Sequence, residues 1–132
     1  MILKKLSNSI NIVVIFFFFS SEDFSHNKIG DSGARALGKL INGRCRLEHL
    51  ILLNNKIKAH GGKAIAHALG KNTTLLSMNI RLNRLGDDGG QAMCRALMKN
   101  TTLLELNMGS NDMGEPTAAA LAQVCSVKVV YH

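Results

Sequence analysis

The sequence is poor in the residues that mark several common protein classes: it has one Pro, no Trp and three Cys in 132 residues. A single Pro and a hydrophobic content of 46% exclude a proline-rich disordered chain. Aromatic residues make up 5%, so a platform that stacks nucleic-acid bases on aromatic rings is not expected. The odd number of Cys, without a Cys-x-x-Cys motif, excludes a disulfide scaffold and a thiolate zinc site.

Long apolar runs and catalytic motifs are missing as well. No apolar run approaches the ~20 residues that a transmembrane helix needs, so no membrane partner is expected. The five His lack carboxylate or Cys companions at ligand spacing, and no Ser or Cys stands in a nucleophile motif. We therefore predict no catalytic residues, no metal and no cofactor. The length fits one domain, and the net charge of +7 favours an acidic partner protein.

An internal repeat is the most informative feature of the chain. Asn27, Asn55, Asn83 and Asn111 are each 28 residues apart, and the segments around them align without a gap. Each unit follows the pattern L-x-x-L-x-L-x-x-N-x-L, with one break where Glu22 replaces an apolar residue. Because so many positions match at one period, the chain is predicted to be a stack of about four like units.

Within a unit the apolar spacing changes from that of a strand to that of a helix. Leu50 and Leu52 alternate as in a strand, whereas Ala64, Ile65 and Ala68 recur at helical spacing. Strands pair at ~4.8 Å and helices at ~8–10 Å, so the stack must curve with its parallel sheet inside and its helices outside. The predicted fold is an α/β solenoid.

The repeated Asn is the polar exception in a column of apolar residues. We expect its amide to bond the backbone of its own turn and of the neighbouring turn. Asn27, Asn55, Asn83 and Asn111 are therefore predicted to form a structural ladder. Asp31 and Asp87 stand where helices are expected to start, and are predicted to cap them.

The pattern Asn-x-Ile/Leu-Gly-Asp-x-Gly-x-x-Ala-Leu resembles the ribonuclease-inhibitor-type leucine-rich repeat. Within that superfamily the chain is most similar to leucine-rich-repeat subunits of the nexin–dynein regulatory complex of cilia and flagella. The segments that carry this similarity are 23–31, 81–91 and 115–118. The resemblance implies a non-catalytic scaffold in the cytoskeleton of the axoneme. It also implies that the partners are other subunits of that complex, with tubulin as a further candidate.

The two ends depart from the repeat. Residues 1–19 form an apolar segment with four consecutive Phe, residues 20–126 hold the repeats and residues 127–132 are expected to be a tail. Three interpretations of the apolar segment stay open: a signal peptide, a native hydrophobic cap on the solenoid, or sequence from outside the evolved N-terminus.

Two surfaces are candidates for partner binding. The outward strand positions form a concave patch in which Ile51 and Leu53 are expected to be exposed and Arg81 is the best single anchor. The predicted concave residues are His49, Ile51, Leu53, Asn79, Arg81, Glu105 and Asn107. The helix side carries a basic stripe that could contact an acidic neighbour or tubulin. Its predicted binding residues are Arg35, Lys39, Lys63, Arg95 and Lys99.

Three rival functions stay open. The chain could be a cytosolic repeat domain that binds a ligand, like ribonuclease inhibitor or an innate-immune receptor. It could also be a Ran-type GTPase-activating protein, although no loop is long enough to mark a catalytic Arg. A secreted binding protein is the third, since Asn72-Thr-Thr74 and Asn100-Thr-Thr102 match glycosylation acceptors. Structural use of these two Asn at a helix end is the preferred interpretation.

Overall fold

Short strands alternate with helices in the computed structural model, which describes residues 19–42, 45–124 and 127–130. Within these residues the strands are β1 (Ser21–Asp23), β2 (His49–Ile51), β3 (Ser77–Asn79), β4 (Glu105–Asn107) and β5 (Lys128–Val130). The helices are α1 (Gly30–Ile41), α2 (Ala59–Lys71), α3 (Gly86–Lys99) and α4 (Glu115–Leu121). The strands pair in chain order into one parallel sheet, and successive helices pack side by side. The predicted solenoid of repeated strand and helix is confirmed.

The core lies between the sheet and the helices. Leu50, Met78 and Leu106 face it from the centres of three successive strands and are in register with one another. From the helix side, Leu37, Ile65, Met93 and other apolar residues close the core. The largest fully buried side chains are Phe24, Leu37, Ile41, Leu47, Leu50, Leu52, Ile57, Ile65, Leu69, Leu75 and Met78. The apolar positions of the repeat are therefore what joins the two layers.

The sheet continues one strand beyond the four units expected. Residues 127–132 are expected from the sequence to be a tail, yet Lys128–Val130 form β5 and pair with β4. Val129 is in register with Leu106, 23 residues before it, instead of 28. The shorter spacing accompanies a shorter helix, since α4 has 7 residues where α3 has 14. A repeat with this deletion falls out of register with the others in the sequence.

The first strand forms despite the break in its pattern. Glu22 pairs with Leu50 and occupies the position that Leu, Met or Val fills in the other strands. Partial burial raises the pKa of its carboxyl, because desolvation disfavours the charged form. Of the apolar segment 1–19 only Phe19 lies within the described residues, and 52% of its surface is exposed.

The four Asn of the predicted ladder lie at equivalent positions in successive turns. The Asn83 Oδ1 accepts hydrogen bonds from the backbone N–H groups of Asn55 (2.9 Å) and Ile57 (3.0 Å) in the preceding unit. Its Nδ2 donates to the carbonyl oxygens of Leu52 and Ile80, both at 2.9 Å. The amides of Asn55, Asn83 and Asn111 thus link their own turns to the previous ones. Asn55, Asn83 and Asn111 are buried, whereas Asn27 is only partly so.

A second pair of buried Asn joins the units at the ends of the helices. Asn72 and Asn100 donate to the carbonyl oxygens of Ile41 (2.9 Å) and Leu69 (2.8 Å), one unit earlier. The Asn100 Oδ1 accepts from the backbone N–H of Leu103 at 2.7 Å. Because both side-chain amides are buried and bonded, these residues serve the packing of the folded chain. An attached glycan would break these bonds.

The units are also linked in pairs through two carboxylates. The expected capping of their own helices by Asp31 and Asp87 is wrong, since neither α1 nor α3 has a side-chain cap. Instead, Asp31 accepts from the backbone N–H of Lys58 at 2.7 Å, at the start of α2. Asp87 accepts from the backbone N–H groups of Gly114 and Thr117, at the start of α4.

The reason lies in the backbone at the helix starts. Gly30 and Gly86 have positive φ, which turns their own helix starts toward the next unit. Their N–H groups donate to the carbonyl oxygens of Asn55 and Asn111. At the equivalent positions Lys58 and Gly114 are extended, and their N–H groups point back to the preceding carboxylate. The solenoid therefore has a double unit of two repeats, bonded in both directions.

Candidate functional site

The outward positions of the strands form the concave face. His49 and Glu105 are exposed, while Asn79 and Asn107 are partly exposed. The Nδ1 of His49 lies 2.7 Å from the hydroxyl of Ser77 on the next strand, within hydrogen-bond distance. The face therefore carries polar groups that are already arranged by the sheet.

Ile51 and Leu53 are less exposed than expected. Both are partly buried because their own turn is flanked by neighbouring turns on each side; Ile51, for example, pairs with Asp23 and Asn79. They still contribute apolar surface to the second row of the face. Their partial exposure leaves a shallow apolar contact rather than a protruding one.

The ends of the strands are closed by side-chain turns. Asn79 and Asn107 accept hydrogen bonds from the backbone N–H groups two residues ahead, at 3.0 and 3.1 Å. Asp23 accepts a hydrogen bond from the Ser25 hydroxyl and another from the Ser25 backbone N–H, and these two bonds hold the pKa of its carboxyl below the usual value. Ile51 lacks such a side-chain acceptor. The apolar residue thus stands where the other three units carry a turn-forming side chain.

A rim of exposed residues follows the strands, and Leu82 stands out in it. Leu82 has a φ of 57° and 41% of its surface exposed. The equivalent residues His26, Asn54 and Ser110 also have positive φ, but they are polar. Leu tolerates this left-handed region less well than Asn does. An exposed apolar residue is thus held in a strained turn directly beside Arg81.

Arg81 is exposed, and its backbone is fixed on both sides. Its N–H donates to the Asn79 side chain, and its carbonyl accepts from the backbone N–H of Asn54 at 3.0 Å. Within residues 19–42, 45–124 and 127–130, no carboxylate pairs with its guanidinium. The concave face thus presents an unpaired cation on a rigid backbone. Leu82 was not predicted from the sequence, although the polar residues at the equivalent positions mark it as unusual.

The helix side carries the predicted basic stripe. Arg35, Lys39, Lys63, Arg95 and Lys99 are all exposed on α1, α2 and α3. Lys63 lies 3.9 Å from the carboxylate of Asp88, and both side chains are largely exposed. Such a pair contributes little to stability in water. The stripe therefore remains available to an external partner.

The described part of the chain offers no arrangement typical of metal binding: no three His, Cys, Asp or Glu side chains come together there. Cys45 and Cys94 are buried free thiols, as the repeat alignment predicts for Cys94. Burial raises the pKa of the Cys94 thiol, which makes it a poor nucleophile. At the repeat period Cys125 aligns with the core residues Leu69 and Leu97, which predicts a core position for it, but it lies outside the described residues. No helix among these residues is long and apolar enough to cross a membrane.

Comparison with known proteins identifies the repeat. A family model described as "Leucine Rich repeat" matches residues 23–38, 71–94 and 99–122. A solved structure titled "Leiomodin-1 Actin-Binding Site 2 (ABS2)" superposes with a TM-score of 0.76 at 24% sequence identity. The alignment covers 98% of this chain and 76% of that one, and at this identity the similarity shows the fold alone. No curated protein matches the sequence.

Proposed function

Because this chain is a leucine-rich-repeat protein, we propose that it is a non-catalytic scaffold whose concave face binds another protein. Repeat domains of this kind generally present an extended surface for a partner. The observation that carries the proposal is the pair Arg81–Leu82 at the rim of that face. The strain and exposure of Leu82 give the folded chain no benefit of their own, which is typical of a binding residue.

The chemistry of the pair defines the partner it would accept. An unpaired guanidinium on a rigid backbone can hold a carboxylate with two parallel hydrogen bonds. Leu82 supplies an apolar contact beside it, and Ile51 and Leu53 extend that contact across the second unit. Arg is enriched in binding hot spots, and the buried part of an interface is apolar. The partner should therefore present a carboxylate next to an apolar side chain.

The finer proposal concerns the complex in which the scaffold works. Segments 23–31, 81–91 and 115–118 resemble T-complex-associated testis-expressed protein 1, subunit 5 of the nexin–dynein regulatory complex. We propose by this resemblance that the chain acts at the axoneme of cilia or flagella, in the regulation of dynein-driven motility. The concave face would then bind another subunit of the complex, and the basic helix side could contact tubulin.

The experiment is recovery of partners from ciliated cells with the tagged 132-residue chain. We expect axonemal subunits, identified by mass spectrometry, to co-purify with the parent chain. Arg81→Glu and Leu82→Asn should each lower that recovery about tenfold, since each removes one of the two contacts on which the proposed binding depends. Matched controls are Arg46→Glu and Leu104→Asn, which change an exposed residue of the same type outside the rim.

Two results would contradict the proposal. Recovery that falls equally in the rim variants and in their controls would show that the concave rim is not the binding surface. Recovery of a soluble nuclease or a GTPase in place of axonemal subunits would replace the axonemal assignment by one of the rival functions.

A further inference from the structure

A groove lies between α2 and α3 on the helix side, away from the concave face. Its volume is about 690 Å³. Its floor consists of small residues from both helices: Ala66, Gly70, Ala92 and Ala96. Because Ala66 and Gly70 are one turn apart, as are Ala92 and Ala96, the floor follows both helix axes. The groove is therefore elongated rather than a round cavity.

The floor is low because Gly70 lacks a side chain. A Cβ placed there would lie 3.8 Å from the Cα of Ala96, in ordinary van der Waals contact. A Cβ therefore fits at Gly70 without a clash, in contact with Ala96 and the Lys99 side chain, whereas a longer side chain at this position would extend into the groove.

The walls are made of long basic side chains. Lys63, His67 and Lys71 lie at intervals of four residues along α2, and Arg95 and Lys99 face them from α3. No carboxylate lines the groove. Asp88 pairs with Lys63 at a distance of 3.9 Å, so the pair neutralises only that side of the wall. The remaining cations, Lys71, Arg95 and Lys99, form a cluster of like charge. An anionic ligand would reduce the repulsion between them.

An apolar group stands at the edge of this cluster. Met98 lines the groove and is 64% exposed, although it adjoins Lys99 in the sequence. A flexible thioether adapts to varied apolar partners. The combination of methyl groups on the floor, an exposed Met and cationic walls fits a ligand with both acidic and apolar side chains.

We propose that this groove binds an acidic polypeptide segment of a second partner. Its carboxylates pair with Lys71, Arg95 and Lys99, and one apolar side chain lies against Met98. The stretch from Lys63 to Lys71 spans about 12 Å at 1.5 Å per residue, which two turns of an acidic helix would match. Because the groove is on the helix side, this partner does not compete with one on the concave face, and the inference does not depend on the identity of the latter.

The groove favours a polypeptide over a nucleic acid. Single nucleic-acid-binding modules bury about 600–1,000 Å² and rely on many phosphate contacts or on stacking aromatic residues. No Phe, Tyr or Trp lines this groove, and its floor is apolar. A duplex would reach the cationic walls but would leave the methyl groups of the floor and Met98 without contact.

The test is fluorescence anisotropy with a labelled 14-residue peptide in which Glu recurs at positions i and i+4 around a single Leu. We expect the 132-residue chain to bind it, and a peptide with Gln in place of Glu to bind at least tenfold more weakly. The triple variant Lys71→Glu, Arg95→Glu and Lys99→Glu should lose at least tenfold in affinity. The control triple variant Lys28→Glu, Arg46→Glu and Lys56→Glu has the same net charge and should lose less than threefold, because these exposed residues lie outside the groove.

A second pair of variants tests the groove without changing its charge. Gly70→Leu should fill the floor and weaken binding at least fivefold, whereas Gly70→Ala should leave it within twofold of the parent. Circular dichroism checks that both variants are folded. Equal losses in the two triple variants would mean that net charge alone attracts the peptide, and would overturn the proposal. Tighter binding of a single-stranded oligonucleotide with the same number of charges would overturn it as well.

Discussion

Replacing Asn83 with Ala tests how the units of the solenoid are held together. The side-chain oxygen of Asn83 is the acceptor for the backbone N–H groups of Asn55 and Ile57. Its Nδ2 donates to the carbonyl oxygen of Leu52, in the unit before. The Ala variant would leave these groups without their partner in a buried turn, since Asn83 is only 4% exposed.

The expected loss of stability follows from the number of backbone groups affected. An unpaired buried N–H costs about 1–3 kcal/mol, so two of them cost about 2–6 kcal/mol if no water reaches them. Water that enters the space of the lost amide lowers this cost by bonding the N–H groups. We therefore expect a loss of about 3 kcal/mol in the free energy of unfolding. For a chain of this size that is a fall of roughly 10 °C in Tm.

The other ladder positions provide graded controls. Asn55 also serves two N–H groups of the preceding unit, but one of those bonds is 3.4 Å long. The Asn111 side-chain oxygen accepts from Leu85 at 3.2 Å. The side chain of Asn27 bonds only the carbonyl oxygens of its own turn within the described residues, at Phe24 and Ser25. The loss on substitution by Ala should thus decrease from Asn83 to Asn55, then Asn111, and be smallest at Asn27.

Urea unfolding followed by circular dichroism measures the four losses under the same conditions. Equal midpoints for the parent chain and Asn83→Ala would refute the role of the ladder. An equal loss at Asn27 and Asn83 would refute the argument that the bonds between units, rather than those within a turn, carry the stabilisation.

Two further predictions follow from other contacts. Hydrogen bonds from the Thr117 hydroxyl and the Gly114 N–H lower the pKa of the Asp87 carboxyl below its usual value of 3.8. The stabilisation that the charged carboxylate provides is therefore present above pH 3.8 and is lost as the pH falls through the lowered pKa of the folded state. The urea midpoint of Asp87→Asn should therefore lie below that of the parent at pH 7 and approach it at about pH 2. The midpoint of the control Asp88→Asn should show no such dependence on pH. A gap between Asp87→Asn and the parent that has the same size at both pH values would contradict this. Leu82→Asn should raise the free energy of unfolding by about 0.5–1 kcal/mol in thermal unfolding, because Asn adopts positive φ more readily. The control Leu104→Asn, at an exposed position without positive φ, should not raise the free energy of unfolding. If it raised it by the same amount, the loss of exposed apolar surface, and not the backbone angle, would explain the result.

The period of the repeat is enough to predict the solenoid and its core. Residues 28 apart must occupy equivalent places once one strand and one helix are assigned, so the register Leu50–Met78–Leu106 follows from the sequence. The fifth strand does not follow, because the deletion of five positions before Val129 removes the match in period on which the prediction depends.

The site is less predictable than the fold. Which residues face outward follows from strand alternation, and the exposure of Arg81 agrees with it. How far Leu53 is covered depends on the neighbouring turns, and the strain at Leu82 depends on a backbone angle that no side-chain pattern reports. The groove beside Gly70 depends on how closely two helices approach, which only the packed structure defines.

The pairing of units through Asp31 and Asp87 has a consequence for how such a chain can grow during evolution. Duplication of a single unit would place two copies of the same kind next to each other, so that one helix start would lose its carboxylate or one Asp its N–H donor. Duplication of 56 residues would reproduce both junctions intact. Lengthening by two units at a time therefore preserves the hydrogen bonds between these carboxylates and the backbone N–H groups of the next unit.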